Sequence, residues 1–86
     1  MKTLIALLLL STQAFALSGY DESSDAIEIH PNEQVQQGRS ISAYDYGDRD
    51  YHDVEVQNIR DNGNGTVNIE VYDLKTHDYS TYQMRR

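Results

Sequence analysis

Val67-Asn68-Ile69-Glu70-Val71-Tyr72-Asp73, followed after four residues by Asp78-Tyr79, decides the fold. Apolar residues fall at every second position, the period of a strand with one face buried. Four residues is a common hairpin loop length. Folding the chain back there sets Asp73 beside Asp78, Tyr72 opposite Tyr79, Ile69 opposite Tyr82 and Val67 opposite Met84. Apolar residues face apolar ones at Ile69–Tyr82 and Val67–Met84, which supports this register, because a slip of one residue would turn every side chain to the wrong face.

The same text stands 28 residues earlier. Tyr44-Asp45, four residues and Asp50-Tyr51 repeat the pattern, with Ile41 now opposite Val54. A degenerate third copy starts at Tyr20-Asp21 and runs to Ile27-Glu28-Ile29. The two full hairpins join through Asp61-Asn62-Gly63-Asn64-Gly65, where Asn-Gly steps favour the positive φ of tight turns. Pairing Ile59 with Val67 across this turn loses parity at Val56 and Val54. One extra residue near Gln57-Asn58 restores it, so the pattern predicts a β-bulge there, with Val56 meeting Ile69 and Val54 meeting Val71.

Ile and Val supply most of the apolar residues after position 16, and Leu appears there only at Leu17 and Leu74. Such β-branched content favours strands. The expected fold is all-β: a small five-stranded antiparallel meander with strands near 26–30, 38–45, 51–60, 66–73 and 79–85. Short, strongly bent strands with one apolar face suggest a partly open barrel of SH3-like type. His30-Pro31-Asn32 reads as a turn. The last strand, near Tyr79-Met84, would be an edge guarded only by Arg85 and Arg86.

Residues 1–16 read as a secretory signal peptide: Lys2, the apolar run Leu4–Leu10, and the small-x-small site Ala14-Phe15-Ala16. The apolar run is shorter than the roughly 20 residues that span a bilayer. Cleavage after Ala16 would leave a flexible segment at 17–25, rich in Ser, Asp and Gly, and a single small β-domain at 26–86. The expected location is periplasmic or secreted. The chain has no cysteine, which excludes disulfides, thiolate metal sites and a lipidated cysteine.

The formal charge is −7, and −8 once Lys2 is removed with the leader. That charge repels nucleic acid phosphates and anionic membrane surfaces. It suits metal cations or a basic protein as partners, and it also keeps an exported protein in solution.

Tyr44-Asp45-Tyr46-Gly47, Tyr51-His52-Asp53-Val54-Glu55-Val56-Gln57-Asn58-Ile59-Arg60 and Val67–Asp73 with Tyr79 together resemble a family of small exported bacterial proteins classed as a domain of unknown function. The resemblance covers most of the chain after the leader. It implies a Gram-negative periplasmic or secreted setting and brings no catalytic residue with it.

Two sets of residues stand out as candidate sites. Asp45 with Asp50, and Asp73 with Asp78, place like charges across from one another, which is destabilising unless offset. A loop cation (Arg49 or Lys75), capping of loop amides by the Asp side chains, or bound Ca²⁺ would each offset it. Asp45, Asp48, Asp50 and Asp53 form the richer set and are the candidate metal ligands. Tyr44, Tyr51, Tyr72 and Tyr79 fall on the face opposite the core, either as cross-strand staples or as an aromatic face for a glycan or peptide. His30, His52 and His77 show no zinc-binding spacing, and no nucleophile motif is present. The reading is therefore a non-enzymatic binding or accessory module without a resident cofactor. The alternatives are a weak Ca²⁺-binding module and an acidic inhibitor or partner of a basic protein.

Overall fold

The computed structural model describes residues 17–85. The signal-peptide reading lies outside the described residues. Six strands follow in order: β1 (Leu17–Tyr20), β2 (Ala26–Ile29), β3 (Ser40–Asp45), β4 (Asp50–Asp61), β5 (Thr66–Asp73) and β6 (Asp78–Arg85). Each pairs antiparallel with its neighbour in sequence, and β1 pairs with β6, so the meander closes into a barrel. Among the described residues no helix is long and apolar enough to cross a membrane.

The fold is all-β and antiparallel as expected, but it has six strands and is closed, where a partly open five-stranded barrel was expected. The difference is β1. Leu17-Ser18-Gly19-Tyr20 is too short and too polar to show an alternating pattern, and it read as part of a flexible segment. It is a stave paired on both edges, Gly19 lying against Ile27 on one side and Met84 on the other. Residues 21–25 are also ordered by contacts: the Asp21 N–H donates to the Asp25 carbonyl at 3.0 Å, and the Ser24 N–H to the Asp21 carbonyl at 3.0 Å. Closure also removes the expected edge at β6, which pairs with β5 and β1.

The two Tyr-Asp hairpins have the expected registers. Asp45 faces Asp50, Tyr44 faces Tyr51 and Ile41 faces Val54. Asp73 faces Asp78, Tyr72 faces Tyr79, Ile69 faces Tyr82 and Val67 faces Met84. Between β4 and β5 the bulge falls between Val56 and Asn58, as the parity required. The pairing there is displaced by two residues from expectation: Val56 faces Val71, Val54 faces Asp73 and Ile59 faces Ile69. The cause is the turn. β4 runs on to Asp61, and only residues 62–65 form the loop, closed by the Asn62 N–H donating to the Thr66 carbonyl at 3.1 Å. Gly63 and Gly65 take φ of +80° and +87° there, angles that glycine adopts without strain. A shift of two keeps every side chain on its expected face.

The interior is filled by Ile27, Ile29, Ile41, Ala43, Val54, Val56, Val67, Ile69, Val71, Tyr82 and Met84. The loop from 30 to 39 lies at one end of the barrel and packs Val35 against this core. The β1–β2, β3–β4 and β5–β6 loops gather at the other end.

Candidate functional site

The inward column of each strand changes character at the three-loop end. On β4 it reads Val56, Val54 and then His52, and on β5 Val67, Ile69, Val71 and then Asp73. On β3 it reads Ile41, Ala43 and then Asp45. The apolar core therefore ends in a polar layer. His52 is only 4% exposed and Asp73 only 8%.

Each loop is closed by an Asp at the end of the preceding strand or just after it. Asp21 Oδ1 accepts the N–H groups of Ser23 (3.0 Å) and Asp25 (2.9 Å). Asp45 Oδ1 accepts the Gly47 N–H at 2.8 Å, and Asp73 Oδ1 accepts those of Lys75 (2.8 Å) and Thr76 (3.2 Å). These are Asx-turns, in which the side chain replaces a backbone acceptor. The last residue of each four-residue loop, Arg49 and His77, takes a positive φ of 59° and 63°.

His52 joins the loops. In its imidazolium form, Nδ1–H donates to Asp73 Oδ2 at 2.6 Å and Nε2–H donates to Asp48 Oδ2 at 2.6 Å. Asp45 Oδ2 lies 4.0 Å from Nε2. Burial pulls the His52 pKa down, but the hydrogen bonds to Asp48 and Asp73 outweigh it and hold it above the usual histidine value. Burial likewise pushes Asp73 up, and the Lys75 amide, His52 and the Thr76 amide bring it below the usual carboxylate value.

The structure divides the four carboxylates read as metal ligands. Asp45 and Asp48 converge on His52. Asp50 instead pairs with Lys75 of the neighbouring loop, which lowers the Asp50 pKa. Asp53 lies exposed on the outer face of β4, across from Ser42. Loop capping, Lys75 and His52 each stand where they offset part of the Asp45–Asp50 and Asp73–Asp78 repulsion.

Around this layer is an open concavity of about 530 Å³. Glu22, Asp25, Asp45, Asp48, Asp73 and Asp78 line it, with His52 in its floor and no Lys or Arg among its lining residues. Asp25 sits over Gly47, where a Cβ would come within 2.5 Å of its carboxyl group. Desolvation pushes the Asp25 pKa up, and the nearby Asp21, Asp45 and Asp48 add to it. Glu22 crosses to β6, accepting the Thr81 N–H at 2.9 Å and the Ser80 hydroxyl at 3.2 Å.

His52, Asp25 and Glu22 were missed from the sequence as site residues. His52 had a readable signal: it continues the inward parity of Val54 and Val56 next to a loop rich in Asp. Asp25 and Glu22 had none, because they depend on β1 closing the barrel.

The four Tyr read as an outer face stand as two cross-strand pairs. Tyr44 and Tyr51 meet edge-to-face at 4.9 Å between ring centres, as do Tyr72 and Tyr79. Tyr46 joins the first pair at 4.8 Å from Tyr44, and His30 stacks on Tyr51 at 5.9 Å. Each pair has one well-exposed ring, Tyr51 and Tyr79.

Fold and site define a small closed antiparallel barrel with a buried His52–Asp73 pair under an acidic end. Residues 17–86 match the model of a family of unknown function, DUF5334, and the chain belongs to that family. No curated protein and no solved structure matches the chain.

Proposed function

We propose that this is an exported, non-enzymatic binding module whose acidic barrel end receives a cationic group. The observation that carries the reading is the concavity lined by six carboxylates with no Lys or Arg among its lining residues. A cationic side chain or ion entering it would relieve the repulsion from Asp21, Asp45 and Asp48 that adds to desolvation in raising Asp25. Net negative charge would also steer a basic partner toward the protein. The export half of the proposal rests on Lys2, the Leu4–Leu10 run and Ala14-Phe15-Ala16.

A labelled hexalysine peptide tests the binding half by fluorescence anisotropy at low and physiological salt. Binding should weaken markedly as salt rises, since exposed charges are screened beyond about 8 Å at 0.15 M. Asp25→Asn/Asp78→Asn should weaken it several-fold. Absence of binding at low salt, or an affinity that salt and the double substitution leave unchanged, would refute the reading.

A further inference from the structure

We propose that His52 Nε2, with the carboxylates of Asp45 and Asp48, forms a divalent transition-metal site, and that Asp73 is the residue that orients its imidazole. The inference rests on the acidic-end reading and names the cation.

The histidine distinguishes this place from an ordinary group of surface acids. His52 is buried, and a carboxylate that is not a ligand fixes its ring. Asp73 commits Oδ1 to the Lys75 and Thr76 amides and presents Oδ2 to His52 Nδ1 at 2.6 Å. Metal-bound histidines characteristically donate the second ring N–H to such a partner, which sets the tautomer and makes the free nitrogen more basic. Here the arrangement turns Nε2 toward the acids. Asp45 is prepared as well: Oδ1 holds the Gly47 amide, while Oδ2 lies 4.0 Å from Nε2.

Ligand atoms of Asp45, Asp48 and His52 all lie within 4.8 Å of one another. An ion bound at about 2.0–2.2 Å from nitrogen and oxygen separates its ligands by about 3.3 Å in a tetrahedral arrangement. Nε2 and Asp48 Oδ2 must open from 2.6 Å, and Asp45 must close from 4.0 Å. Asp48 stands on a loop with its side chain half-exposed, so it is free to make that movement. The ion takes the place of the Nε2 proton, and water from the concavity completes its coordination. One imidazole nitrogen with two carboxylates suits Zn²⁺, Mn²⁺ or Co²⁺, whereas Ca²⁺ takes six to eight oxygens. The second acidic group, Asp21, Asp25 and Asp45, offers oxygen alone.

The test uses the chain from Leu17 onward, which holds every described strand. Zn²⁺ is titrated by calorimetry, and Co²⁺ by its visible d–d absorption. We expect one ion per chain, with Ca²⁺ and Mg²⁺ binding at least tenfold more weakly. ¹⁵N NMR should show the His52 Nε2 resonance moving on Zn²⁺ addition while Nδ1 stays protonated. Asp45→Asn/Asp48→Asn, which keeps the loop caps, should abolish binding, and Asp73→Asn should weaken it about 10- to 100-fold. Absence of Zn²⁺ binding, or binding that survives the double substitution or His52→Asn, would overturn the site. If hexalysine still binds in a salt-dependent way when Zn²⁺ does not, the metal inference fails and the acidic-end reading stands. If neither binds, both fail.

Discussion

Replacing His52 with Leu tests whether the barrel end is held by charge. Leu fits the inward parity of β4 and adds apolar volume under the loops. It also leaves Asp73 buried with one carboxylate oxygen unpartnered, and Asp45 and Asp48 without the cation between them. Breaking a buried ion pair from one side costs about 3–5 kcal/mol. Asp48 is half-exposed and recovers water, so only the Asp73 half carries the full penalty. We therefore expect a loss of about 3 kcal/mol. A domain of this size holds roughly 4–10 kcal/mol in all, so about a third or more of the stability would go. Urea denaturation in EDTA at pH 6 reads it directly. With a slope near 1 kcal/mol/M the midpoint should fall by about 3 M.

The companion variant sharpens the test. Asp73→Asn keeps an amide oxygen for the Lys75 and Thr76 N–H groups and loses only the charge. In His52→Leu/Asp73→Asn the stranded carboxylate is gone, so the double variant should be more stable than His52→Leu alone. A His52→Leu protein within about 0.5 kcal/mol of the parent would refute the reasoning, since that is the range of an unimportant surface change.

Four further outcomes are expected. Stability should peak at mildly acid pH: the raised His52 pKa gives a contribution complete below about pH 6.5 and lost as pH rises through the folded value, while the lowered Asp73 and Glu22 pKa values give contributions present above about pH 4 and lost as pH falls through theirs. A melting temperature in EDTA that climbed steadily from pH 6 to 9 would contradict this. Gly19→Val should open the β1–β6 seam and cost more than about 2 kcal/mol, because a Cβ there would lie 1.9 Å from the Gln83 carbonyl oxygen and 2.7 Å from the Met84 Cα; faster hydrogen exchange confined to β1 and β6 would show it. A double-mutant cycle on Tyr72 and Tyr79 should return a coupling of about 0.5–1.5 kcal/mol, and zero coupling would make the edge-to-face contact incidental. Intact mass of the exported protein should begin at Leu17, and a product that retains Met1–Ala16 would refute the leader reading.

What the sequence made legible follows from what each signal measures. Alternation and loop length act over a few residues, and together they placed both Tyr-Asp hairpins in their true register and the bulge beside Gln57. The β4–β5 register lay two residues away because Asn62-Gly63-Asn64-Gly65 closes more tightly than the whole Asp-to-Gly stretch, and apolar parity is blind to a shift of two. β1 was invisible for a different reason. Four residues carrying a Gly and a Ser have almost no pattern of their own, and their strand exists because β2 and β6 each offer an unpaired edge. The site inherits that dependence. Asp45 and Asp48 could be picked out as clustered acids, but choosing them over Asp50 and Asp53 needs the fold, which turns Asp50 to Lys75 and Asp53 outward. The electrostatic centre, His52, sat in plain view as the next inward position after Val54. A histidine continuing an apolar column into an Asp-rich loop is a recognisable conflict between pattern and polarity. Here carboxylates at both ring nitrogens, Asp73 and Asp48, resolve it.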